Sequence, residues 1–77
     1  MKLTEATGKR IEELLKKNGY SQYQLQKKGG IPRSTVSVII SDKVKTVKLD
    51  TIYQIAATLG VSLKEFFDSP LFDDLDD

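Results

Sequence analysis

The stretches YSQYQL (residues 20–25) and VSLKEF (residues 61–66) carry the same helix-starting device. In each, a serine stands at the cap position and a Gln or Glu follows three residues later. Each side chain can then bond the other residue's backbone N–H. Tyr20 with Leu25, and Val61 with Phe66, occupy the two positions of a hydrophobic staple. Two complete signals of this kind in 77 residues constrain the fold more than any other feature, because they fix helices beginning at 21 and 62. Ile11, Leu14 and Leu15 follow helical spacing, with Leu3 and Ala6 one or two turns earlier. That predicts an amphipathic helix from about Thr4 to Asn18, weakened in its first half by Gly8 and stopped by Gly19. Leu49, Ile52, Ile55, Ala56 and Leu59 predict another, closed by Gly60 as a left-handed residue just past the helix end. Pro70 blocks continuation of the last helix.

One stretch resists this pattern. GGIPRSTVSVIISDK (29–43) is rich in β-branched residues, which favour sheets. Yet Pro32 suits a first helical turn, and no clear partner strand exists elsewhere. A lone strand would leave its backbone groups unpaired. The stretch therefore reads as a helix over about Pro32–Ser41, supported by the rest of the domain. On a helical wheel Arg33, Ser34, Ser37, Val38 and Ser41 share one arc, and Val36, Ile39 and Ile40 face a core. Preceded by a short helix at 21–28 and a Gly29-Gly30 turn, it completes a helix-turn-helix.

Composition narrows the function. The chain has no cysteine and no histidine, so it lacks disulfides, thiolate metal sites and the commonest general base. No phosphate-cradling glycine loop accompanies the carboxylates, so neither an enzyme nor a bound cofactor, metal or small-molecule ligand is expected. No apolar run is long enough for a membrane span, and MKLTEATGKR lacks the apolar stretch of a secretory leader, so a cytoplasmic protein is expected. The net charge of +1 conceals an asymmetry. Residues 27–48 hold six basic residues against Asp42 alone, whereas residues 65–77 hold six acids and no base. A basic middle beside an acidic end suggests a polyanion-binding surface and a segment held away from it.

SQYQLQKKGGIPRSTVSVIISDK followed by LDTIYQIAATLGVSLKEFF resembles the phage repressor and Cro type of helix-turn-helix domain. The resemblance runs from about Ile11 to Phe67 and rests on Ser21-Gln22, Gly30, Ser34-Thr35-Val36-Ser37 and residues 49–67. It implies an all-α, five-helix, lambda-repressor-like bundle that binds double-stranded operator DNA as a homodimer and regulates transcription. By position, Arg33, Ser34, Ser37 and Val38 would meet base edges. Gln22, Ser41, Lys43, Lys45 and Lys48 would hold phosphates. The chemistry agrees: arginine bonds guanine O6 and N7, hydroxyls serve several bases, valine can meet thymine methyls, and lysines neutralise phosphates.

The sequence departs from the family in two places. Leu15 and Ile40 stand where an arginine–glutamate pair is often found, and both charges are missing together, which leaves no stranded ion. Pro32 replaces the usual capping Ser or Thr, so the third helix lacks a side-chain cap. The DNA-binding domain is expected over 1–69, with an acidic tail at 70–77 that either solvates or docks its Leu71, Phe72 and Leu75. Phe66, Phe67, Leu71 and Phe72 are the expected dimer face. The rival reading is a protein-interaction module on the same fold, such as an antitoxin-like or repressor-binding partner.

Overall fold

The computed structural model describes residues 1–76. Five α-helices follow in order: α1 (Leu3–Asn18), α2 (Gln22–Gly29), α3 (Arg33–Ile40), α4 (Leu49–Thr58) and α5 (Leu63–Phe67), then a single 3-10 turn at Pro70–Phe72. Among the described residues there is no strand.

Both capping boxes form. Ser21 Oγ accepts from the Gln24 N–H at 3.2 Å, and Gln24 Oε1 accepts from the Ser21 N–H at 2.8 Å. Ser62 and Glu65 repeat the exchange at 3.1 and 3.4 Å. The staple residues Leu25 and Phe66 are fully buried, with Tyr20 and Val61 packed against the core. Gly60 takes φ 77°, the left-handed conformation that ends α4.

The ambiguous stretch is helical. Thr35 and Val36 donate backbone N–H groups to the Pro32 carbonyl at 3.0 and 3.3 Å, and Pro32 supplies no side-chain cap. Its β-branched residues serve the packing: Val36 and Ile39 are buried, and Ile40 lies against the same core. Tertiary burial overrides a weak local preference for sheet. Leu15 also joins this core, so the two positions that lack the familial ion pair are both apolar and packed.

Glycines at two helix contacts are there for space. A Cβ at Gly8 would lie 2.4 Å from the Ile39 carbonyl oxygen, so the bare backbone lets α1 cross close to the end of α3. Gly29 is the last residue of α2, not part of the turn, and a Cβ there would meet Thr58 Oγ1 of α4 at 2.3 Å. Only Gly30 makes the turn, at φ 69°. Ile31, between that glycine and Pro32, is buried.

Two apolar positions differ from expectation. Leu49 opens α4 and is 74% exposed, and Leu3 opens α1 and is 45% exposed. Each is the first residue of its helix and projects past the end of the packed layer. The buried stripe of α4 begins at Ile52.

The C-terminal segment docks. Ser69 Oγ accepts from the Leu71 N–H at 3.2 Å, and the turn sets Phe72 against Phe67 at 5.1 Å and Phe66 at 6.4 Å between ring centres. The Asp76 N–H donates to the Met1 carbonyl at 3.1 Å. Arg10 of α1 secures α5: its Nε and Nη2 donate to the carbonyls of Phe66 and Glu65, each at 2.7 Å, and Nη1 pairs with Glu13. The Phe66 carbonyl is one that the end of a helix leaves open, and the Glu65 carbonyl also accepts from the Asp68 N–H at 3.2 Å.

Candidate nucleic-acid interface

α2 and α3 pack on each other, and α3 is also held by α1. The buried Val36 and Ile39 fix the rotation of α3 about its axis. Arg33, Ser34, Ser37 and Val38 consequently all reach the surface, as the helical wheel predicts. Among the described residues, Arg33 forms no ion pair. Val38 is 38% exposed and borders a shallow hollow with Val44, Val47 and Thr51. Its outer side faces water and its inner side faces the loop after α3.

That loop begins with a tight helix ending. The Asp42 N–H donates to the Ile39 carbonyl at 3.1 Å and the Lys43 N–H to the Val38 carbonyl at 2.9 Å. This pattern places Asp42 in the left-handed region, at φ 56°, where short polar side chains are tolerated. Thr4 Oγ1 donates to the Asp42 carboxylate at 3.0 Å, tying the loop to α1. Lys43, Lys45 and Lys48 then follow, all exposed and, among the described residues, with no acid partner. Asp42, the single acid among residues 27–48, is therefore turned to a structural bond, and the lysines set the sign of the local potential.

Gln22 is half-buried at the first position of α2. Ser41 is exposed, but its hydroxyl donates to the Ser37 carbonyl at 2.7 Å. A phosphate oxygen accepts and does not donate, so Ser41 can meet one with its hydroxyl only after releasing Ser37. Tyr23 of α2 is 55% exposed and lines a hollow with Lys27 and Lys28.

Of the expected dimer residues, Phe66 is withdrawn from any surface. It is fully buried and serves the chain's own core, because the staple with Val61 and the bonds from Arg10 draw α5 inward. Phe67 remains 38% exposed, and Leu71 and Phe72 are half-buried.

The sequence profile of the helix-turn-helix family matches residues 11–66. The chain belongs to this family. It is of the repressor and Cro type, a family of regulators and not of enzymes. Two transcriptional regulators called PuuR, from Escherichia coli K12 and Shigella flexneri, are each 35% identical to it over 65 residues. The match covers 84% of this chain and 35% of each regulator, so the chain spans about a third of the length of those relatives. The crystal structure of prophage Lp1 protein 11 superposes with a TM-score of 0.82 at 26% identity, covering 97% of this chain and all of that one. That structural match extends the helix-turn-helix similarity to the whole five-helix bundle.

Proposed function

We propose that this chain is a sequence-specific DNA-binding transcriptional regulator that occupies palindromic operator DNA as a homodimer in the cytoplasm. The observation that carries the reading is the exposed arc of α3, where Arg33, Ser34, Ser37 and Val38 are followed by exposed lysines that have no ion-pair partner among the described residues. With α3 in the major groove, Arg33 donates two hydrogen bonds to guanine O6 and N7. Ser34 and Ser37 bond neighbouring base edges, and Val38 covers a thymine methyl. Gln22, Lys43, Lys45 and Lys48 hold the phosphates, which position the helix without reading sequence. Two copies are needed because one short helix reads too few base pairs for useful specificity. The proposed dimer face joins Leu71 and Phe72 with the outer edge of Phe67.

Selection of bound duplexes from a random DNA pool tests the proposal. Enrichment of one palindrome, with half-sites about one helical turn apart, supports it. No enrichment rejects it in favour of a protein-interaction module. Sedimentation of the protein–operator complex tests the dimer separately: one copy per palindrome overturns it.

A further inference from the structure

The starts of α1 and α4, the end of α5 and the loop at 45–47 enclose a groove of about 210 Å³. Leu3, Leu49 and Phe67 form its apolar lip, and Val47 and Ile52 line it further in. The lip residues are 45%, 74% and 38% exposed. Leu49 is conspicuous, because Ile52 and Ile55 of the same helix are buried.

The charge around the groove is mostly positive. Lys45 is the single ionisable side chain lining it. Lys2 lines an adjoining hollow together with Thr4 and Lys45, and Lys48 lines another with Thr46 and Val47. None of these lysines has an ion-pair partner among the described residues. Asp42, which shares the hollow of Lys2, is already bonded by Thr4.

We propose that this groove docks an acidic amphipathic segment of a partner protein. An apolar side chain enters between Leu49 and Phe67, and carboxylates on the flanks of the segment meet Lys2, Lys45 and Lys48. Charge decides the occupant. A second copy set groove to groove by two-fold symmetry would bring Lys2, Lys45 and Lys48 of both chains together against two copies of Asp42, an excess of positive charge. Resting on the DNA-binding reading above, the site also has a regulatory consequence. Lys45 and Lys48 cannot meet a phosphate and a carboxylate at once, so the partner and DNA exclude each other.

The probe is a synthetic helical peptide with Leu and Phe on one face and Glu on the other, titrated into the 15N-labelled full chain. Amide shifts at Thr7, Thr46, Val47 and Ile52 should saturate together. Lys45→Glu should weaken binding by about tenfold. Leu49→Ser, at a position exposed enough to spare the fold, should weaken it similarly. A short DNA duplex should release the peptide. Shifts scattered over the surface, equal binding by a peptide carrying Lys in place of Glu, or indifference to Leu49→Ser would each overturn the docking site. Peptide bound alongside the duplex would overturn the exclusion. A saturating groove in a chain that binds no DNA would uphold the docking site and sink the DNA-binding reading alone.

Discussion

Gly8→Ala sets two well-defined effects against each other. Alanine in a helix interior is favoured over glycine by about 1 kcal/mol. Against this, the new Cβ would stand 2.4 Å from the Ile39 carbonyl oxygen, 3.1 Å from Ile40 Cα and 3.2 Å from the Ile40 carbonyl oxygen. All of these are backbone atoms at the end of a helix, so no side chain can rotate away. Ordinary contact begins near 3.4 Å, so α1 and α3 must part by roughly 1 Å at this crossing. Overpacking of this kind costs about 1–3 kcal/mol and occasionally more. Parting the helices also loosens Ile11 and Leu14 against Val36 and Ile39, and a gap of about 0.5–1 Å forfeits a quarter to a half of each contact's dispersion energy. The steric loss should win, with a net destabilisation of about 1–3 kcal/mol. In a domain of this size that lowers the melting temperature by about 5–20 °C. Thermal and urea denaturation followed by circular dichroism measures it. Gly29→Ala is the control, because its close neighbour at 2.3 Å is a rotatable threonine oxygen, and Thr58→Ala should relieve most of that variant's loss. A Gly8→Ala protein as stable as the parent, or more stable, would show that helix propensity dominates and that the crossing is not tight.

Further outcomes follow from the same geometry. Arg10→Ala should cost about 2–4 kcal/mol of stability, because two charge-assisted bonds to the end of α5 are lost; Arg10→Lys should recover only part, and an unchanged urea midpoint would refute the tie. Arg33→Ala should weaken operator binding by about 1–3 kcal/mol and relax one base position per half-site, leaving the melting temperature unchanged. Uniform loss across all DNA sequences would move Arg33 to a phosphate. Replacing Lys43 and Lys45 together by alanine should weaken binding to every sequence and make the log–log salt dependence shallower by about one unit per contact. An unaltered slope would take both lysines off the interface.

Local chemistry alone determined where α2 and α5 begin. A capping box and staple involve residues within a few positions of one another, so their geometry follows from spacing, and both form as expected. The outward arc of α3 was also legible, because the helical period separates Arg33, Ser34, Ser37 and Val38 from Val36 and Ile39 once the stretch is helical. The helical state of that stretch was less local. Its β-branched residues lean toward sheet, and burial against α1 and α2 decides the matter. What sequence spacing could not convey lies between elements distant in the chain. Gly8 reads as a weak point of α1 until Ile39, thirty-one residues on, lies against its bare backbone. Arg10 reads as one more solvated cation until it meets the Glu65 and Phe66 carbonyls. Leu49 fits the apolar repeat of α4, but periodicity does not say where the layer beneath a helix ends, so its exposure is a property of the packed domain. Phe66 and Phe67 are adjacent and chemically identical. Only the docking of α5 and the turn at Pro70–Phe72 assigns Phe66 to the core and leaves the other partly in water.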